Sequence, residues 1–245
     1  MSIKLENVVY SYNSIKAIEK LSLSIEDGET TVLIGPSGCG KSTLIRLITG
    51  LLTAQSGKIY FDEKNLDSTN LLELRRRIGY VIQEGGLFPP LTCYQNVTLL
   101  AKYIGWDDQK ISNRITELST LTKFPTERIK NFPAEISGGQ RQRVCIIRAL
   151  MLDPEFLLFD EPLGALDPMI RFDLQQDLKD IFQELKKTVL LVTHDLNEAV
   201  FFADKIVLMK DGKVVQEGIL KNLTENPSDE FVTKFIQSQR SFLND

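Results

Sequence analysis

Alternating hydrophobic and polar residues near the start of the chain predict β-strands. Strand-like runs occupy residues 4–12, 17–25 and 29–35, and two shorter ones follow at 57–61 and 78–82. Between them the chain has turn residues, as expected for short strands joined by tight connections. The N-terminal part of the chain is therefore predicted to be rich in β structure.

The pattern changes in the middle of the chain, where strand signals stop from about residue 91 to residue 152. Within 91–152, the segments 107–121 and 137–152 have apolar residues at helical spacing. Their first residues, Asp107 and Ser137, are types that cap helix N-termini. This region is predicted to be helical.

Strands and helices alternate again in the last third. The continuous apolar runs at 156–160 and 188–193 are typical of parallel strands that are covered on both faces. Between them, 167–185 is predicted to be a helix with Asp167 as N-cap and Pro168 at its first position. This alternation predicts an α/β protein with a helical insertion.

The chain then closes with three local signals. Asp195 and Glu198 have the spacing of a capping box at the start of a helix. A hairpin is predicted at 206–218 around an Asp-Gly turn, and residues 228–243 form an amphipathic tail. No linker or repeat interrupts the 245 residues, so a single domain, 1–245, is predicted, with a core at 1–90 and 153–245 and a helical subdomain at 91–152.

Composition narrows the class of protein. The net charge of −4 argues against a nucleic-acid partner, which a basic surplus would favour. The apolar runs are too short to span a bilayer, and the N-terminus has no signal-peptide pattern, so a cytoplasmic protein is expected. Three cysteines without CxxC spacing predict neither a disulfide framework nor a zinc site.

A glycine-rich loop carries the first chemical signal. GPSGCGKST, residues 35–43, fits GxxxxGK[ST] and lies between a predicted strand and a predicted helix at 41–52. Its glycines let backbone N–H groups approach a phosphate, Lys41 should reach the β- and γ-phosphates, and Ser42 should bind Mg²⁺. The residues predicted to contact nucleotide here are Gly35, Ser37, Gly38, Cys39, Gly40, Lys41, Ser42 and Thr43.

Two carboxylates end the apolar strand at 156–160. Asp160 is placed to hold Mg²⁺, often through water, and Glu161 to orient or deprotonate an attacking water. The alternative is that they are acids that merely favour a helix macrodipole. Together with the phosphate loop they indicate a nucleotide hydrolase.

A second phosphate-reading segment is ISGGQRQR, residues 136–143. Ser137, Gly138 and Gly139 open a predicted helix, so they offer bare N–H groups and a positive helix end. The alternative is a capping serine followed by flexible glycines. One nucleotide held from two sides accounts for two such loops.

With these motifs in this order, the chain resembles the nucleotide-binding subunit of ATP-binding cassette (ABC) transporters over nearly its whole length. The resemblance implies a P-loop NTPase fold with a mixed sheet core, an N-terminal antiparallel β part and an inserted helical subdomain, and it implies ATP and Mg²⁺ as cofactors. It makes Tyr12 the residue that stacks on adenine, Gln83 the sensor of Mg²⁺ and γ-phosphate, and His194 the switch histidine that helps hold Glu161 and water.

The resemblance also assigns residues that face a partner. Ser137, Gly138, Gly139 and Gln140 match the family signature, and Asp167 matches a residue that crosses to the partner subunit. One ATP hardly has room for both phosphate-reading loops of one chain. A head-to-tail homodimer with ATP between the subunits resolves this.

The kind of ABC protein is less constrained. An ATPase acting on DNA or the ribosome usually has long coiled coils or two cassettes in one chain, and a P-loop kinase would leave ISGGQ unexplained. A cassette without membrane spans fits an importer with a separate permease, located at the cytoplasmic face of the membrane and serving, indirectly, a substrate-binding protein. The permease is expected to dock on QEGGLFPPLT.

The solute is read from family likeness alone. The stretches at 83–92, 103–111 and 226–236 resemble cassettes for osmoprotectants and quaternary amines such as glycine betaine, choline and carnitine. A polar amino-acid importer is the alternative. Many such cassettes carry a C-terminal regulatory domain, and none is expected in this chain.

Overall fold

The chain packs as two compact units. The computed structural model describes residues 1–67, 69–83, 85–164 and 166–240, without the side chain of Arg240. Unit 1 comprises residues 1–73 and 187–245, and unit 2 comprises residues 74–186. The predicted bounds of the helical subdomain, 91–152, were drawn from the loss of strand signals and stay a prediction.

The described residues form strands and helices with the following bounds, each type numbered in chain order. The strands are β1 Ile3–Tyr12, β2 Ile15–Ile25, β3 Thr30–Ile34, β4 Ser56–Phe61, β5 Lys64–Asn65, β6 Ile78–Val81, β7 Phe156–Asp160, β8 Thr188–Val192, β9 Lys205–Lys210 and β10 Lys213–Gly218. The helices are α1 Lys41–Ile48, α2 Leu71–Arg76, α3 Cys93–Tyr103, α4 Asp108–Leu121, α5 Gly138–Leu150, α6 Pro168–Leu185, α7 Leu196–Phe202, α8 Leu220–Glu225 and α9 Glu230–Arg240.

Unit 1 contains an antiparallel sheet in which β1 pairs with β2 on one side and with β4 on the other. The short β5 extends it beyond β4. Along β1, Ile3 and Leu5 are buried and Lys4 between them is exposed, as period-two packing requires, and Val8 is buried beyond an irregularity in the pairing with β2. This is the antiparallel part that the sequence predicts.

The same unit contains parallel strands, with β3 between β8 and β9. All five residues of β3 and all five of β8 are buried, which explains their continuous apolar sequence. The hairpin from β9 to β10 turns at Asp211 (φ 48°) and Gly212 (φ 76°), the positive φ values of a type I′ turn. Because β3 and β8 are parallel neighbours, their carboxyl ends lie at the same edge of the sheet.

Unit 2 is built around α5. This helix packs on α3, α4, α6 and β6, and β6 pairs in parallel with β7. Its Arg143 forms an ion pair with the buried carboxylate of Asp177 on α6, with 2.5 Å between Nη2 and Oδ2. Lys123, which follows α4, donates to the other oxygen of Asp177 at 2.6 Å. The Asp177 carboxylate thus links α6 to α5 and to the segment that follows α4, all within unit 2.

Most predicted element types are confirmed, with differences at helix starts. Asp107 and Ser137 are N-caps with side-chain hydrogen bonds, as predicted. Asp167 is the N-cap of α6, but its carboxylate makes no capping hydrogen bond. The tail forms α9 as far as residue 240, and the predicted continuation at 241–243 lies outside the described residues.

The capping box expected of Asp195 and Glu198 is only half realised. Asp195 Oδ1 accepts from the backbone N–H groups of Asn197 and Glu198. The Glu198 carboxylate is buried, and its Oε2 accepts from the Thr193 hydroxyl at 2.6 Å. The Thr193 hydroxyl thus satisfies one oxygen of this buried acid.

Candidate active site

The phosphate loop follows β3 and leads into α1. Gly35 and Gly40 have φ of 152° and 109°, values that L side chains rarely adopt. A Cβ at Gly35 would lie 2.3 Å from the Met209 carbonyl oxygen, and one at Gly40 would lie 2.6 Å from that of Ala17. Both conformation and space therefore require glycine, and the loop presents bare backbone as the sequence predicts.

Lys41 is held inside this loop. Its ammonium donates to the carbonyl oxygens of Gly35 at 2.7 Å and Pro36 at 3.1 Å, and to Cys39 Sγ at 3.8 Å. Burial raises the pKa of the Cys39 thiol, and the Lys41 charge opposes this rise. The Cys39 side chain is thus buried, while Ser37 and Ser42 are exposed.

Tyr12, at the end of β1, lies against the start of α1. Hydrogen bonds with Thr43 and then with Arg46 lower the pKa of its phenol, and its oxygen accepts from Arg46 Nη1 at 3.3 Å. Its ring stands edge-on to that of Tyr10, with 5.0 Å between centroids, and the residue is 39% exposed. An exposed aromatic side chain thus lies beside the last residue of the phosphate loop.

His194 lies just beyond the carboxyl end of β8. Because Leu33 of β3 is paired in parallel with Val192 of β8, the loops after these two strands emerge at the same edge. The backbone N–H of Thr193 donates to the Leu33 carbonyl at 3.2 Å. Unit 1 therefore brings the exposed His194 to the edge where the phosphate loop begins.

Unit 2 brings together three other predicted residues. Asp160 is the last residue of β7, and its Oδ2 accepts from the Tyr80 hydroxyl at 3.4 Å. Glu161 follows with a positive φ of 46°, and its Oε2 lies 3.4 Å from the Gln83 amide nitrogen. These residues form a half-buried carboxylate pair with an amide and a phenol beside it.

Arg148 of α5 holds the chain after Gln83, a role that the sequence analysis misses. Its guanidinium donates to the carbonyl oxygens of Gly86 at 2.7 Å and Gly85 at 2.8 Å. The Gly-Gly sequence is a signal for a turn, and both glycines do have positive φ. The contact with Arg148 has no local signal, because the arginine is more than sixty residues away.

The signature begins α5 with a complete capping box. Ser137 Oγ accepts from the Gln140 N–H at 3.2 Å, and Gln140 Oε1 accepts from the Ser137 N–H at 3.1 Å. The capping interpretation is therefore correct as far as the local structure goes. Although it caps α5, the Ser137 side chain is exposed, so the N-terminus of the helix stays accessible to solvent.

The two signature glycines differ in what the chain itself requires. A Cβ at Gly139 would lie 2.7 Å from Cγ2 of Ile170, so α6 packs directly on this position. A Cβ at Gly138 would come no closer than 3.6 Å to any neighbour. Packing therefore explains the glycine at 139 but not the one at 138, where a bare backbone suits an approaching ligand.

Asp167 and Gly164 lie on the connection from Glu161 to α6. Asp167 is exposed and does not cap α6 with its side chain. At Gly164 a Cβ would come no closer than 3.6 Å to any neighbour, so packing does not require glycine there.

Comparison with known proteins places the chain in a family. The sequence model of the family "ABC transporter" matches residues 18–164. The choline transport ATP-binding protein OpuBA of Bacillus subtilis is 44% identical over 96% of this chain and 62% of its own length. The sulfate/thiosulfate import ATP-binding protein CysA 2 of Agrobacterium fabrum is 42% identical over 96% of this chain and 69% of its own length. This chain belongs to the ABC transporter family.

A solved structure agrees on the fold. The ATP-binding cassette MJ0796, described as a dimer in a post-hydrolysis state bound to ADP and Pi, is 37% identical, with a TM-score of 0.78. The match covers 89% of this chain and 98% of that one. The α/β P-loop fold of an ABC ATPase is therefore confirmed. Among the residues that the structure describes, no helix is both long and apolar enough to cross a bilayer.

The difference between the signature glycines generates a prediction. Gly138→Ala should keep or slightly raise the free energy of unfolding, because alanine favours helix. Gly139→Ala forces its Cβ against Ile170, so it should be less stable than Gly138→Ala by about 1 to 2 kcal/mol. Urea unfolding of the nucleotide-free variants measures this difference. Equal stabilities would show that α6 does not pack on position 139.

Proposed function

We propose that this chain is the ATP-hydrolysing subunit of an ABC importer that drives uptake of a small solute through a separate membrane permease. The observation that carries the proposal is the match to a transport ATP-binding protein and an import ATP-binding protein along nearly the whole chain. The chain spans less than two thirds of the length of OpuBA.

ATP binding falls to the phosphate loop and its surroundings. The N–H groups of the glycine loop donate hydrogen bonds to the phosphates, and Lys41 exchanges its carbonyl partners for phosphate oxygens of higher charge. The exposed ring of Tyr12 offers a face for adenine. The assignment is supported by the position of the Lys41 ammonium group, which already lies against the carbonyl oxygens of the glycine loop.

Mg²⁺ is the finer part of the cofactor proposal. Ser42, Gln83 and Asp160 offer a hydroxyl, an amide and a carboxylate, and these oxygen donors fit a cation that keeps several waters and binds through phosphates. The described residues contain no cluster of three or more His, Cys, Asp or Glu side chains suited to a metal. The bound cation would neutralise charge on the phosphates.

Hydrolysis is assigned to Glu161. Its carboxylate orients or deprotonates the attacking water. Gln83, whose amide nitrogen lies 3.4 Å from the Glu161 carboxylate, senses Mg²⁺ and the γ-phosphate. The exposed imidazole of His194 hydrogen-bonds the γ-phosphate. These roles follow the family pattern, and the carboxylate–amide contact in unit 2 supports them.

The signature serves a second copy of the chain. Ser137, Gly138, Gly139 and Gln140 of one subunit contact the ATP held by the phosphate loop of the other, and Asp167 reaches across the interface. The exposed Ser137, the unobstructed backbone at Gly138 and the uncommitted cap at Asp167 support a ligand from outside the chain. The resulting homodimer is head to tail, with two equivalent sites.

The permease docks on the segment after Gln83, at the cytoplasmic face of the membrane. Phe88 is 49% exposed, while the buried Asn96 fixes its backbone, accepting from its N–H at 2.7 Å and donating to its carbonyl at 3.1 Å. A rigidly presented exposed aromatic residue suits a docking surface. Glu84, within the predicted docking stretch, lies outside the described residues.

The solute is proposed to be an osmoprotectant or quaternary amine. OpuBA, named for choline transport, supports this class. The comparable identity of a sulfate/thiosulfate import protein favours inorganic anions as the second candidate. Cargo does not pass through this subunit, so its own residues do not choose between them.

Glu161→Gln tests the catalytic proposal. We expect ATP hydrolysis to fall by about a hundredfold or more, because an amide cannot accept the water proton. Binding should survive, leaving ATP trapped in a long-lived dimer. Phosphate release and radiolabelled nucleotide retained through gel filtration measure the two effects.

Glu155→Gln is the matched control. It makes the same chemical change just before β7, at an exposed residue paired with Arg77, and should leave the rate near that of the wild type. Normal turnover by Glu161→Gln would remove Glu161 from the role of base.

The solute class is tested through the partners. A tagged chain purified from membranes of the cells that naturally produce it should co-purify with a permease and a substrate-binding protein. Binding of labelled choline, glycine betaine and sulfate to that substrate-binding protein is then measured. We expect binding of the quaternary amines. Binding of sulfate alone would overturn the proposed solute class and leave the ATPase proposal intact.

A further inference from the structure

A buried acid follows His194 four residues later in the chain. Glu198, on the first turn of α7, is only 5% exposed, and its Oε2 accepts from the Thr193 hydroxyl at 2.6 Å. Thr193 is itself 1% exposed. The Thr193 hydroxyl therefore gives this buried carboxyl group a hydrogen-bond donor, which a buried polar group needs.

The Thr193 oxygen has a second function. It accepts from the backbone N–H of Asp195 at 3.1 Å, so a single side chain links the residues on both sides of His194. Thr193 is also anchored to β3 through the Leu33 carbonyl, and Asp195 caps α7 through its side chain. The backbone at His194 is therefore fixed from both directions while its imidazole is exposed.

We propose that Thr193 and Glu198 are positioning residues that hold His194 in its working orientation, an inference that rests on the proposed role of His194 in hydrolysis. Glu198 orients the Thr193 hydroxyl by accepting its proton. The hydroxyl oxygen lone pairs then remain free to receive the Asp195 N–H. The tight turn at 193–195 follows from this order of donors and acceptors.

A capping role for Glu198 would predict a different arrangement. An N3 carboxylate in a capping box reaches back to the N-cap backbone N–H, which here is that of Asp195. That N–H donates to the Thr193 oxygen, and the Glu198 carboxylate accepts from the Thr193 hydroxyl. The acid therefore acts on the His194 turn through Thr193.

The experiment compares two substitutions at one position in the full chain. Thr193→Val keeps the shape but removes the hydroxyl, and Thr193→Ser keeps the hydroxyl. We expect Thr193→Val to lower kcat about tenfold or more, with the KM for ATP nearly unchanged, because a displaced group loses orientation in the reacting complex. Thr193→Ser should stay within about twofold of the wild type.

The second readout does not depend on activity. The chain contains one histidine, so its imidazole gives a single, unambiguous ring resonance after histidine isotope labelling, and His194→Ala assigns it by removing it. We expect the resonance to be shifted or broadened in Thr193→Val and to match the wild type in Thr193→Ser. Loss of general stability alone would not produce this signature in a folded variant.

A second pair of variants covers the case in which Thr193→Val does not fold. Glu198→Ala should disturb the His194 resonance and kcat in the same direction, whereas Asn197→Ala, at the exposed neighbouring position of α7, should change neither. A wild-type resonance and kcat in both Thr193→Val and Glu198→Ala would overturn the inference. Equal damage from Thr193→Val and Thr193→Ser would also overturn it.

The proposed function fails in a different way. If His194→Ala hydrolyses ATP at the wild-type rate, His194 has no role in the reaction, and the resonance comparison still decides whether Thr193 and Glu198 set its orientation. If His194→Ala is inactive while the His194 resonance is unchanged in Thr193→Val and Glu198→Ala, the proposed function stands and the positioning inference is wrong.

Discussion

The ammonium group of Lys41 is bound by carbonyl oxygens of its own loop, at 2.7 Å from Gly35 and 3.1 Å from Pro36. This arrangement is possible only because the backbone at Gly35 and Gly40 has positive φ and meets neighbouring backbone where a Cβ would clash. A buried cation held by neutral acceptors is a strong site for an anion, since phosphate oxygens offer more charge at the same distance. Around it, β3 and β8 deliver the loop and His194 to one edge.

Unit 2 contributes the opposite kind of group. Asp160 and Glu161 follow a buried strand, and their acidity suits a cation and a water molecule rather than phosphate itself. The start of α5, in contrast, is bare backbone with an exposed serine, and nothing in the packing of the described residues requires glycine at 138. Under the proposed function both the phosphate loop and the start of α5 bind phosphate, and a two-fold dimer would give both a use.

Features governed by neighbouring residues were predictable from sequence, whereas those governed by distant ones were not. The phosphate loop, the caps at Asp107 and Ser137 and the Asp-Gly hairpin depend on a few adjacent residues, and the structure has them. Glu198 was assigned to a capping box because spacing alone cannot weigh burial, which favours the Thr193 hydroxyl. The hold of Arg148 on the segment after Gln83 joins parts of the chain more than sixty residues apart, which no local pattern encodes.

The central claim, one ATP read by the phosphate loop of one copy and the signature of another, is tested most directly by mixing two inactive variants. Lys41→Ala and Ser137→Arg should each trap no nucleotide alone, in a Glu161→Gln background that prevents turnover. In a mixed dimer one site carries both lesions and the other carries none, so about a quarter of all sites should trap ATP after random mixing. Differently tagged chains report how many mixed dimers form. Trapped nucleotide in that proportion supports the shared site, and its absence from proven mixed dimers would contradict it.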